Sequence, residues 1–166
     1  MSKFFDNTDL DINKAESIVS STLNKCDDGE LYLENSKSEA IILDDNKIKS
    51  SNFTNDVGYG FRAITGDVVA YSHSNDISEN SLKNSSENLK STLSSNKGNY
   101  DHQIKKTNQK FYKEIDPTDN KSMDSKIKLH NETNEYARSI DTSVEHVTAN
   151  FLEEKKDIEI LRLGGE

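Results

Sequence analysis

The run Asp56-Val-Gly-Tyr-Gly-Phe-Arg-Ala-Ile-Thr-Gly-Asp-Val-Val-Ala-Tyr71 decides how this chain folds. Val57, Tyr59, Phe61 and Ala63 alternate with Gly58, Gly60, Arg62 and Ile64, and a strand has a side-chain period of two. Thr65-Gly66-Asp67 reads as a hairpin turn, since glycine supplies the positive φ that such turns require, and Val68 to Tyr71 is the returning strand. Strands joined this closely pair antiparallel, because a parallel pair needs a crossover of a dozen or more residues.

Towards the N-terminus the same alternation recurs. Leu31 and Leu33 alternate with Tyr32 and Glu34 in one strand, and Ile41 and Leu43 with Ala40 and Ile42 in another. An Asp44-Asp45-Asn46 turn then leads into a short run through Ile48. Ahead of these strands, Ala15, Ile18, Val19, Thr22 and Leu23 recur at helical spacing, which predicts a helix over 11–25 ended by Cys26-Asp27-Asp28-Gly29.

Towards the C-terminus, Ser78 is placed to cap a second helix with a thin stripe of Leu82, Leu89 and Leu93. A third helix is predicted over 122–140, with Leu129, Thr133, Tyr136 and Ile140 on one face. Two strands, 144–152 and 157–163, follow, joined by the charged turn Glu153-Glu154-Lys155-Lys156. The expected fold is α+β: an antiparallel or mixed sheet of about five to seven strands with about three helices packed on it. By composition, 1–10 reads as a frayed N-terminus and 11–95 as an α+β domain. Residues 96–121 read as a polar linker or long loop, and 122–166 as a helix plus strand pair truncated at Leu163-Gly164-Gly165-Glu166.

With 31% hydrophobic residues and a mean hydropathy of −0.87, any core is lean. A net charge of −9 repels phosphate backbones, and the cluster of Lys105, Lys106 and Lys110 is too small to reverse that, so no nucleic-acid partner is expected. The single cysteine, Cys26, excludes an internal disulfide, and nowhere do eighteen apolar residues run together. A cytoplasmic protein with no membrane segment is expected.

Zinc hydrolysis needs three protein ligands converging on one metal with a position left for water. None of the four histidines, His73, His102, His130 and His146, has another three to five residues away, so neither a metal site nor a catalytic residue is assigned. Gly58-Tyr59-Gly60 lies in a strand pattern with no helix behind it, which removes the phosphate-binding reading of a glycine pair. Gly58, Gly60 and Arg62 remain candidates for contact with a peptide or partner. Two positions without side chains let another backbone approach, and Arg62 can hold a carboxylate. The structural alternative is that the glycines relieve crowding while Arg62 reaches solvent or a neighbouring acid. Leu31, Leu33, Val57, Tyr59, Phe61 and Tyr71 are the core candidates.

Asp56 to Asp67 resembles a segment of the N-terminal domain of the TldD/PmbA family, and further matches follow the same order along the chain. They are Gly29-Glu-Leu-Tyr-Leu33, Ile42-Leu-Asp-Asp-Asn-Lys-Ile-Lys49, Tyr71 through Ser78, Tyr112-Lys-Glu-Ile-Asp-Pro117, Tyr136-Ala-Arg138 and Val144-Glu-His-Val-Thr-Ala149. The resemblance implies a metalloprotease whose C-terminal domain carries a zinc-binding His-Glu-x-x-x-His motif, in a family also associated with modulation of DNA gyrase. It implies a TldD- or PmbA-like partner chain, in a homo- or hetero-dimer enclosing the active site, and a peptide substrate. This chain is then expected to be the non-catalytic, chamber-forming and partner-docking part, with zinc bound only by the missing domain. The alternative is a stand-alone interaction module or a degenerate fragment without peptidase activity. An exposed edge strand or apolar patch near 144–163 favours both the first reading and the interaction module over a degenerate fragment.

Overall fold

A computed structural model describes residues 4–6, 8–94, 98 and 121–163. Among these the element order is α1 (Ile12–Leu23), β1 (Asp28–Asp44), β2 (Lys47–Thr65), β3 (Val68–Ser74), α2 (Glu79–Leu93), α3 (Met123–Ile140) and β4 (Thr148–Leu161). The class is α+β, with three helices and a four-stranded antiparallel sheet of order β3-β2-β1-β4. Four strands stand where about five to seven were expected because segments read as separate are continuous. Residues 31–33 and 41–43 belong to one strand, β1, and the strands expected over 144–152 and 157–163 run together as β4, which begins at Thr148 and ends at Leu161. The Glu153-Glu154-Lys155-Lys156 turn is likewise strand, and charge did not break it because Glu153 turns inward to bond Lys126.

The described residues divide into two compact units, one from 1–35, 56–111 and 157–166, the other from 36–55 and 112–156. Residues 96–121, read as a linker, lie outside the described residues apart from 98 and 121.

In the first unit, α1 and α2 cover one face of the sheet. Asp11 caps α1 by accepting from the Lys14 amide, and Ser78 caps α2 by accepting from the Ser81 amide. Ala15, Val19 and Leu23 from α1 meet Leu31, Leu33, Phe61 and Ala63 in a fully buried cluster. The thin stripe of α2 is supplemented by hydroxyls. Ser85 bonds Tyr59 at 2.8 Å and Ser72 at 2.9 Å, and Ser86 bonds Thr22 at 2.6 Å, so the two buried serines of α2 both have partners. Cys26 is buried here, and that burial pushes its thiol above the ordinary range, which leaves it inert.

Both hairpins are tight. Thr65 pairs with Val68 across Gly66, whose φ is +58°, and Asp45 and Asn46, with φ of 45° and 63°, form the two-residue loop between β1 and β2.

The second unit has a different interior. Ile41 and Leu43 are buried, but α3 turns inward Lys126, His130 and Asn134. The predicted apolar face of α3 is outside instead, with Leu129 52%, Tyr136 69% and Ile140 69% exposed. The physical reason is the acidic pair facing that helix. Glu39 of β1 and Glu153 of β4 both bond the Lys126 ammonium, which lies 5.6 Å from the Phe151 ring centre.

Candidate functional site

In the first unit, the sheet face opposite α1 and α2 carries a cleft of about 250 Å³. Strand period places its parts. Leu31 and Leu33 point to the helices, so Tyr32 and Glu34 point away. Tyr59 and Phe61 point to the helices, which leaves Gly58 and Gly60 as the floor of the other face. Tyr71 stands on β3 beside that floor, and Asp56, Ser74 and Asn75 close one end.

The absence of side chains at the two glycines has a local cause. A Cβ on Gly58 would lie 2.8 Å from the Ser74 carbonyl oxygen, and one on Gly60 would lie 2.7 Å from the Tyr71 hydroxyl. Tyr71 and His73 stack with ring centres 5.8 Å apart. Tyr32 donates to Glu34 at 2.5 Å, and this bond to a carboxylate holds the Tyr32 phenol up at about 12. The Asp56 carboxylate has neither an ion-pair nor a hydrogen-bond partner among the described residues.

Of the three residues singled out from the sequence, Gly58 and Gly60 line this cleft and Arg62 does not. Its guanidinium lies 3.2 Å from Glu30 and 3.6 Å from Asp28, and Arg162 approaches Glu30 from the other side at 2.7 Å. Two core candidates are also corrected. Tyr71 is 64% exposed, because on β3 it is Ala70 and Ser72 that face the helices, and Val57 on β2 is 40% exposed and lines the cleft. Tyr32, Glu34 and Asp56 gave no local signal. Their shared face follows from strand phase, but their convergence on Tyr71 depends on strand order.

Among the described residues no group of three or more His, Cys, Asp or Glu is arranged to hold a metal ion. The nearest approach to a ligand set, His146 between Asp44 and Asp45 at 2.9 and 2.8 Å, is accounted for by hydrogen bonds. Bonds from Thr148 and from the Val147 amide, respectively, are the leading causes that hold Asp44 and Asp45 below the ordinary carboxylate range. No described helix is long and apolar enough to cross a membrane.

Comparison with known proteins gives a consistent picture. The family described as PmbA/TldA metallopeptidase domain 1 matches residues 29–95. A metalloprotease TldD homolog of Buchnera aphidicola is 34% identical over 126 residues, covering 75% of this chain and 26% of that protein. By structure, the chain is similar to a protein from Bacteroides thetaiotaomicron described as a modulator of DNA gyrase. The TM-score is 0.67 and the identity 16%, over 93% of this chain and 37% of the other. TldE from Thermococcus kodakarensis aligns with a TM-score of 0.59 and 13% identity, over 90% of this chain and 36% of that one. At these identities the structures speak for the fold alone. This chain thus spans about a quarter of the length of the TldD homolog and somewhat over a third of the two structures.

Proposed function

Because this chain carries the N-terminal domain of the TldD/PmbA family, we propose that it serves as the non-catalytic part of a metalloprotease of that kind. In this role it forms part of a chamber wall and docks a partner chain, while zinc and the residues that activate water belong to another domain. The observation that carries the reading is the state of β4. This strand is an edge of the sheet and turns Leu152 outward in one unit and Ile158 and Ile160 outward in the other, at 72%, 52% and 41% exposure. An edge strand with apolar side chains in water invites pairing or coverage. That the longer relatives named above extend well beyond the matched part supplies a candidate for the cover.

The test is to produce this chain alone and together with the remaining, C-terminal portion of the Buchnera TldD homolog. Amide exchange along β4 and binding of an apolar dye are then followed in both samples. Coverage slows exchange across 148–161 and lowers dye binding. Hydrolysis of an unfolded protein substrate is expected only when the second domain and zinc are present. Unchanged exchange at β4 on co-production, or zinc-dependent hydrolysis by this chain alone, defeats the reading.

A further inference from the structure

The open-face cleft has a chemistry that neither docking nor the fold requires. Its long walls are two phenol rings, Tyr32 and Tyr71, its floor is Gly58 and Gly60, and its charged groups are Glu34 and Asp56. Neither carboxylate meets a Lys, Arg or His within ion-pair distance among the described residues, although Glu30 on the same strand is held by two arginines. The protein thus pairs the acid next to Arg62 and leaves unpaired the acids next to the rings. Aromatic faces and carboxylates share one preference, which is for a cation. The quadrupole of each ring attracts it, and the carboxylates accept its hydrogen bonds.

Size narrows the class further. About 250 Å³ lies below the roughly 300–1,000 Å³ of sites that enclose whole small molecules, and suits one side chain or chain end. The space beside each glycine is taken by the protein itself, by the Tyr71 ring at Gly60 and by the Ser74 carbonyl at Gly58, so the glycines let Tyr71 lie close over β2 and set where the cleft opens.

We propose that this cleft binds a single protonated amine or guanidinium carried by an extended polypeptide, a lysine or arginine side chain or a free amino terminus. The cation lies between the Tyr32 and Tyr71 rings with Glu34 and Asp56 as acceptors. The polypeptide source rests on the peptide-handling role proposed above, whereas the cation chemistry rests on the cleft alone. Tyr32 remains protonated at working pH and keeps Glu34 oriented through its donated bond. Exposed ion pairs and cation–ring contacts are individually weak, so affinity for one residue is on the order of millimolar and falls with salt. Such a site selects among peptides already held nearby by other contacts.

The experiment is an amide-shift titration of the whole 166-residue chain with blocked single residues: the N-acetyl methylamides of lysine, arginine and norleucine. Glycine methylamide with a free amino group is the fourth probe. The cationic probes are expected to shift the Gly58 and Gly60 amides, and norleucine, similar in length but uncharged, is not. If the free amino group binds as well as or better than lysine, the cleft takes chain ends, which supports the proposal and identifies the source. Asp56→Asn, at a residue with no partner to lose, weakens binding by up to about fivefold, and adding Glu34→Gln takes the loss to about tenfold or more. The Asp56→Asn protein keeps the parent's unfolding midpoint, so its loss of binding is not a loss of fold. Equal shifts from norleucine, no shift at the glycines with any cation, or full binding by the double variant overturns the proposal. None of these results bears on whether β4 is covered by a second domain, so the two readings fail separately.

Discussion

A Cβ placed on Gly60 would lie 2.7 Å from the hydroxyl oxygen of Tyr71. In the register of the hairpin Gly60 faces His73 and Tyr71 faces Arg62, so Tyr71 reaches diagonally across the strand pair to cover the glycine. The two glycines of the cleft therefore differ in what replaces them. In Gly60→Ala the group in the way is the far end of a side chain that is 64% exposed and free to swing. In Gly58→Ala it is the Ser74 carbonyl at 2.8 Å, which moves only with the backbone of β3. Urea unfolding is expected to give less than about 1 kcal/mol for Gly60→Ala and about 1–3 kcal/mol for Gly58→Ala. The reverse order would mean that the hairpin yields more easily than the ring.

Lys126 places the largest local demand on the second unit. Its side chain is 5% exposed, and its ammonium bonds Glu39 and Glu153. Burial alone lowers its pKa, but the two bonded carboxylates outweigh that and hold it above the ordinary lysine value, so it is cationic at neutral pH. Lys126→Met leaves two carboxylates facing one another without a cation, and a loss of about 3–5 kcal/mol is expected in denaturant unfolding. Replacing all three together, Glu39→Leu, Lys126→Met and Glu153→Leu, is expected to be neutral or stabilising by up to about 4 kcal/mol. A triple variant as damaged as the single one would show that the charges themselves hold α3 in place.

What sequence periodicity could and could not convey follows from these two sites. The cap Ser78 and the glycine of the β2–β3 turn are local chemistry, so α2 and the hairpin were readable from adjacent residues. Strand continuity was not readable. A ladder of backbone bonds runs through polar stretches such as Asn35 to Ser38 as well as through apolar ones, and hydrophobic runs mark only where a face is dry. The candidate glycines were readable for the same reason as the strand that bears them. Tyr32 and Glu34 lie more than twenty residues before Gly58 in sequence, and only the pairing of β1 beside β2 brings them to it.

The orientation of α3 is the sharpest departure and is directly testable. Spacing put Leu129, Thr133, Tyr136 and Ile140 on one face, and that apolar face lies outside while Lys126, His130 and Asn134 lie inside. Truncating exposed side chains leaves no cavity. Leu129→Ser and Ile140→Ser are therefore expected to change unfolding free energy by no more than about 0.5 kcal/mol. Asn134, by contrast, is itself buried and accepts from Arg138 at 3.2 Å in a part-buried bond, and Asn134→Leu removes that bond, costing about 1 kcal/mol. Thermal or urea unfolding of the three variants decides the facing. If the two serine variants are the damaging ones, the helix is turned the other way.

Acid should act first where Glu79 ties α2 to α1. Its carboxylate accepts from Lys14 at 2.8 Å and Lys83 at 2.5 Å, and these bonds hold its pKa down at about 2, well under the ordinary 4.5. A carboxyl whose folded pKa is depressed binds its proton more readily in the unfolded chain. Its contribution is then complete above about 4.5 and drains away as pH falls towards about 2. The pair is exposed, so the contribution is small and screened by salt. In low salt the parent is expected to be more stable than Glu79→Gln by a constant margin above pH 4.5, a margin that shrinks below it and vanishes near pH 2. Urea midpoints of both proteins across that range provide the measurement. A margin that survives unchanged to pH 2 would mean that the Glu79 side chain supports α2 through packing, and that the two lysines are incidental.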